Sequence, residues 1–203
     1  IKTKLQEFVD TGKIAKLEKE KDNPINVLTK VYGIGPKKAK ELIDLGITDI
    51  KELRKQQAQV LNDVQRIGLE HYEDINSRIP RAEIVKYHDA LQSLFESTTP
   101  KGSHFDIVGS YRRGLPDSGD IDIIITNSND DKAAFNDFLD ALIQRNIVTH
   151  VLSRGTHKSL TIAKLPGMKQ SRRLDFLYTS PKEYPFAILY FTGSKIFNTI
   201  IEK

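Results

Sequence analysis

The residues able to do chemistry are three aspartates, a Gly-Ser turn and a few arginines. Asp120 and Asp122 lie two apart at the head of a β-branched strand, Ile121–Ile125. Side chains alternate along a strand, so both carboxylates face the same side. Carboxylates held that close repel one another unless a cation lies between them. Hard oxygen ligands of this kind suit Mg²⁺, especially when substrate phosphates complete its shell. Asp175 stands mid-strand between Leu174 and Phe176, and a carboxylate there is costly to bury unless it is paired. A metal shared with Asp120 and Asp122 is one partner. Arg173, two residues away on the same side, is another, and the residues alone leave a bare ion pair open. Just before Asp120 comes Gly109-Ser110-Tyr111-Arg112-Arg113-Gly114, which follows an apolar strand and opens a helix. Such a junction presents unpaired N–H groups to an anion such as a triphosphate. Arg112 and Arg113 add planar cationic forks. The local reading is a strand pair that sets a metal beside a phosphate. An Asp-x-Asp at a strand end also arises as a plain edge or turn. The glycine turn before it and the third aspartate after it weigh against that.

The elements that must hold these groups form two patterns. From residue 100 onward, strands alternate with helices: 104–108, 121–125, 149–152, 160–165 and 172–178 read as strands. Lys132 to Arg145 reads as an amphipathic helix with Phe135, Phe138, Leu139 and Leu142 inward. Pro181 starts a helix ending near Gly193, and 195–201 reads as helical. This pattern predicts an α+β fold with helices against a mixed sheet. Residues 1–99 read as helical throughout. Leu5, Phe8 and Val9 make one apolar face, Thr11-Gly12-Lys13 breaks it, and Ile14 and Leu17 resume. Gly33-Ile34-Gly35-Pro36 makes a tight turn with Pro36 at the first helical position. Ala39, Leu42 and Ile43 carry the helix that Gly46 ends. Thr48 caps the next helix, 49–55. Residues 57–76 and 80–98 read as two longer helices parted by Pro80. The loop Thr98–Ser103 is the expected domain boundary.

Length and charge set bounds. A chain of 203 residues can build one large or two small cores. Net charge is +4, with 17 basic against 16 acidic side chains in residues 1–100 and 14 against 11 in residues 101–203. Any surface for nucleic acid must therefore come from local clustering. There is no cysteine, which excludes disulfides and thiolate metal sites. No membrane span or signal peptide is visible, and the five histidines show no metal or catalytic spacing. Ile1 at one end and an unstopped helix at the other read as cut ends, so a fragment is expected.

Four motifs occur in order: G-S-Y-R-R-G, S-G-D-I-D, Arg172-Arg-Leu-Asp175 and Tyr190-Phe-Thr-Gly-Ser194. Together they resemble family X, the polymerase beta type of DNA polymerases. With Gln65–Leu69 and Arg78-Ile-Pro-Arg81 the likeness runs from Glu7 to Asn198. The resemblance implies a nucleotidyltransferase palm at 100–180. A helix-hairpin-helix subdomain would lie at 21–99, the end of a lyase-like domain with its link at 1–20, and the start of a nucleotide-selecting subdomain at 181–203. It implies a DNA-directed polymerase that fills short gaps in base excision repair, using two Mg²⁺ ions held by Asp120, Asp122 and Asp175. It places Arg78, Gly109, Ser110, Arg113 and Gly119 on the triphosphate, and Tyr190, Phe191, Gly193 and Asn198 along the sugar and base. Phe191–Gly193 would leave no room for a 2′-hydroxyl.

The turn at Gly33 and Gly35 resembles a helix-hairpin-helix. Its backbone N–H groups, with Lys37 and Lys38, would meet a DNA phosphate without reading sequence. Carbonyls of Thr29, Val31 and Ile34 would hold Na⁺ or K⁺, and Arg173 would also serve DNA. Lys4 falls where the family keeps a Schiff-base lysine, so lyase activity is an expectation for a longer parent chain. Expected partners are gapped or nicked double-stranded DNA and a dNTP, in a monomeric nuclear protein with no membrane. On residues alone, Arg78 also reads as a helix-end surface arginine, Tyr190 and Phe191 as core aromatics, Lys4 as an exposed lysine, and the glycine turn as a simple connection. Two positions depart from the beta-type wording: Lys195 replaces an aspartate against the incoming base, and Leu177 replaces an arginine. A template-independent nucleotidyltransferase and a non-catalytic scaffold for gapped DNA are the alternative readings.

Overall fold

The computed structural model describes residues 2–14 and 22–201. The reading of Leu17, and of the link through Leu17-Glu18-Lys19, lies outside them. The chain divides into two compact units, Ile1–Tyr72 and Glu73–Lys203.

In the first unit α1 (Lys2–Thr11) has no buried residue, and Leu5, Phe8 and Val9 stand exposed. The core begins with α2 (Pro24–Leu28), where the Asn23 side chain accepts from the Ile25 N–H and Pro24 needs no donor partner. α3 (Pro36–Asp44) starts at Gly35 with Pro36 as its first residue. α4 (Ile50–Val60) is capped by Asp49, whose carboxylate accepts from the Glu52 N–H at 2.8 Å. The cap is thus one residue beyond Thr48, and the helix runs to Val60 rather than Lys55. No single helix covers 57–76. Asn62 forms a reciprocal capping box with Gln65 and starts α5 (Asp63–Glu70), because a side chain that caps a new helix ends the old one. Leu28, Val31, Ile34, Ala39, Leu42, Ile47, Leu53, Leu61 and Leu69 form the core.

α6 (Tyr72–Asn76) contains the division. The second unit continues with β1 (Ile79–Pro80), α7 (Arg81–Thr98), β2 (Ser103–Ile107), α8 (Gly109–Arg112), β3 (Asp117–Ser118) and β4 (Ile121–Asn127). Then come α9 (Ala133–Gln144), β5 (Val148–Arg154), β6 (Lys158–Ala163), β7 (Arg172–Tyr178), α10 (Tyr184–Thr192) and α11 (Lys195–Ile201). Five strands form one mixed sheet in the order β2-β4-β7-β6-β5, antiparallel except for β4 with β7. The α+β expectation holds. One sheet face carries Ile121, Ile123, Ile125, Leu174, Phe176 and Tyr178, buried with Tyr87, Leu91, Phe135 and Phe138 of α7 and α9.

That packing explains why the units part between Tyr72 and Glu73, earlier than the Thr98–Ser103 loop. Helix α7 was read with the helical half, yet its apolar residues Ile84, Tyr87, Leu91, Leu94 and Phe95 complete the sheet's core. Arg172 at the head of β7 fastens it further. Its side chain, 2% exposed, donates to both Glu83 carboxylate oxygens at 2.7 and 2.8 Å and to the Ser77 hydroxyl at 2.7 Å.

Candidate active site

The opposite sheet face carries the carboxylates. Register sets Asp122 of β4 beside Asp175 of the parallel β7, so both leave the sheet on one side. Asp120, just before β4, completes the group: one carboxylate oxygen from each of Asp120, Asp122 and Asp175 lies within 4.8 Å of the others. Burial, then the charges of Asp120 and Asp175, push the Asp122 carboxyl up to about 7. Burial also raises Asp175, against the pull of Arg173. The Arg173 guanidinium pairs with Asp175 and lies 3.8 Å from Asp120. The ion pair and the carboxylate cluster therefore coexist. Asp175 nevertheless keeps a buried Oδ1 with no hydrogen-bond partner. Three converging hard oxygen donors, one of them orphaned, fit a divalent cation of the Mg²⁺ class.

A cleft of about 660 Å³ opens beside them. Arg78, Gly109, Ser110, Arg113, Gly119, Tyr190, Phe191, Gly193 and Asn198 all line it, together with Asp120 and Asp122. Every residue that the sequence reading set on the nucleotide thus meets at one place. Helix α8 is a single turn. What it delivers is a positioned hydroxyl and backbone rather than a long dipole: Ser110 donates to the Ser118 hydroxyl at 2.7 Å. Gly109 has φ +64, and a Cβ there would stand 2.8 Å from Asp122 Oδ2. The turn and the carboxylate can approach this closely only because no side chain intervenes.

Arg78 stands immediately before β1, which pairs with β3 through Ile79–Ser118 and Pro80–Asp117. Its guanidinium donates twice to Asp117 Oδ1, at 2.6 and 2.9 Å. Arg113 donates to the Thr192 carbonyl at 2.5 Å, and Asn198 to the Tyr190 carbonyl at 2.9 Å. The peptide between Gly193 and Ser194 is cis. Tyr190 and Phe191 pack edge to face at 5.3 Å and remain exposed, so the core-aromatic reading does not hold. Lys195, a departure from the beta-type wording, also lines the cleft.

Asp117 and Ser118 were missed. Neither stands in a strand long enough to read from sequence; the β1–β3 pairing brings Asp117 to Arg78, and Ser118 meets Ser110 of α8. Arg81 was missed as a support: it donates to the Tyr111 carbonyl at 2.7 Å and lies 4.1 Å over the Tyr111 ring.

In the first unit Gly33 has φ +85, a conformation that glycine adopts without strain. The Val31 carbonyl accepts from the Ile34 N–H at 3.0 Å, and Thr29 places its hydroxyl on the Ile25 carbonyl at 2.7 Å. Gln65 donates to the Gly33 carbonyl at 2.9 Å and so fixes the turn to α5. Gly33, Gly35 and Lys37 are exposed; Lys38 is half-buried and 3.4 Å from Glu41. Lys4 is exposed on α1.

Residues 78–181 match the family model described as DNA polymerase beta palm, and residues 26–76 that of the fingers domain of DNA polymerase lambda. The chain is 31% identical over 210 residues to DNA polymerase lambda of Arabidopsis thaliana, covering 96% of this chain and 39% of that protein. It is 31% identical over 205 residues to DNA polymerase lambda of Rattus norvegicus, covering 96% and 35%. DNA nucleotidylexotransferase of Xenopus laevis is 25% identical over 234 residues, covering 95% and 46%. The chain therefore spans less than half the length of each of these relatives.

Proposed function

The chain belongs to the family X DNA polymerases, and from that premise we propose that it carries the palm and part of the DNA grip of a gap-filling, template-directed polymerase. The reaction joins the primer 3′-oxygen to the α-phosphorus of a dNTP. The bond to pyrophosphate breaks, and the hydroxyl proton leaves to solvent. Two Mg²⁺ ions at Asp120, Asp122 and Asp175 would supply Lewis acidity, lowering the pKa of the primer hydroxyl and neutralising the triphosphate.

The protein's own groups do the rest. Arg78, Arg113 and the Gly109–Ser110 backbone orient the triphosphate, with Gly119 leaving room for Arg78. Tyr190, Phe191, Gly193 and Asn198 shape the sugar and base side, in a segment that begins the nucleotide-selecting region. Arg173 holds Asp175 and serves the DNA strand. In the first unit, Gly33, Gly35, Lys37 and Lys38 meet a DNA phosphate, with a monovalent cation on the Thr29, Val31 and Ile34 carbonyls. The family likeness supports a role in base excision repair in the nucleus. Among the described residues no helix is long and apolar enough to cross a membrane.

The observation that carries this reading is the convergence of groups from residues 78 to 198 on one cleft beside the carboxylates. The test is Mg²⁺-dependent insertion of one nucleotide into gapped DNA by the full-length protein, with and without Asp175→Ala. Insertion lost in the variant supports both the activity and the site. Insertion unaffected by it removes the carboxylate assignment. No insertion with gapped DNA still bound favours a scaffold. The likeness to a DNA nucleotidylexotransferase supports a second reading, template-independent addition, which extension of a single-stranded primer would reveal.

A further inference from the structure

The carboxylate face of the sheet holds a cation that the reaction above does not use. Lys158 opens β6 and pairs across the ladder with Leu177 of β7. Leucine offers the ammonium nothing. Asp175, two residues before Leu177, is the diagonal neighbour on the same face, and such neighbours lie roughly 7–8 Å apart, within reach of a lysine side chain. Asp122 stands beside Asp175 in register on the next strand. A small cavity of about 30 Å³ is lined by Lys158, Asp122, Asp175, Leu177 and Phe191 together. It lies outside the residues lining the nucleotide cleft on one side, since Lys158, Asp175 and Leu177 do not line that cleft.

The charge balance gives this placement its meaning. Three carboxylates converge, and Arg173 is engaged with Asp175 and Asp120. Lys158 is the cation that shares the small cavity with Asp122 and Asp175. Arg173 is planar and held in place, whereas Lys158 is exposed on a flexible stem and can swing to water at little cost.

We propose that Lys158 is a resident counter-cation of the carboxylate site, stabilising Asp122 and Asp175 when no divalent ion is bound and opposing that ion when it arrives. It thereby sets the divalent-ion concentration at which the site fills. The inference rests on the carboxylate–metal reading above and deepens it.

The test uses the 203-residue chain and Mn²⁺ alone, without DNA or nucleotide, with free Mn²⁺ counted by electron paramagnetic resonance. Lys158→Met and Lys158→Gln should bind Mn²⁺ about 3-fold to 10-fold more tightly than the unaltered chain, the screened repulsion between a lysine and a divalent ion at this range. Lys158→Arg should match the unaltered chain. Lys164→Met, one residue past the far end of β6, should change nothing. Asp122→Asn should abolish binding. Unchanged or weaker affinity in both Lys158→Met and Lys158→Gln, with Asp122→Asn still abolishing it, overturns the proposal and leaves the carboxylate site standing. Absence of saturable Mn²⁺ binding in the unaltered chain overturns both.

Discussion

Asp122→Asn should make the metal-free protein more stable at neutral pH while destroying its function. The Asp122 carboxyl has an ordinary value of 3.8 and is pushed up to about 7 by burial first and by Asp120 and Asp175 next. A carboxyl raised in the folded state holds more protons folded than unfolded between those two values, so stability falls as pH climbs through that window. Below about pH 4 the group is neutral in both states and costs nothing. Above about pH 7 the whole cost is present, ~4 kcal/mol for a shift of this size if nothing relaxes. Water in the open cleft and movement of Arg173 screen part of it, so we expect asparagine to recover about 2 kcal/mol at pH 8. That corresponds to a rise of roughly 5 °C in melting temperature for a chain of this length. At pH 5 less than about half of the gain should remain. The assay is urea denaturation followed by circular dichroism at pH 5 and pH 8, with a chelator and then with millimolar Mg²⁺. Mg²⁺ should raise the midpoint of the unaltered chain and leave that of the variant unmoved. A variant no more stable than its parent at pH 8, or equally stabilised at both pH values, would refute the reasoning.

Two further predictions concern the scaffold. Arg172→Met leaves the half-buried Glu83 carboxylate without its buried bidentate partner and should cost about 3 kcal/mol, whereas Arg172→Met with Glu83→Leu should recover most of it; urea midpoints of the three proteins decide. Gly68→Ala would place a Cβ 2.5 Å from the Tyr32 carbonyl oxygen and should destabilise the first unit by about 1–3 kcal/mol. Amide exchange should accelerate across residues 24–70 and leave the strands of the sheet protected.

Periodicity, punctuation and wording carried much of this protein in one dimension. The alternation around Asp120 and Asp122 showed that they share a side, because a strand's period of two needs no partner to act. The run Arg172–Tyr178 was readable as a strand to its last residue. Pro36 after Gly35 marked the start of a helix for the same local reason.

Tertiary structure decided what depends on partners distant in sequence. Helix α7 looked like the end of the helical half, but its apolar stripe is completed by strands that follow it, and a stripe does not name what covers it. The capping box at Asn62 split a helix that hydrophobic spacing alone would have continued. Asp117 meets Arg78 through the pairing of β3 with β1, an interaction spanning 39 residues. The register of β6 on β7, which no composition reveals, set Lys158 opposite a leucine and diagonal to Asp175. Residue types and spacing determined which groups could do chemistry here; strand order and register determined which of them meet, because local sequence encodes local geometry and only packing closes the chain on itself.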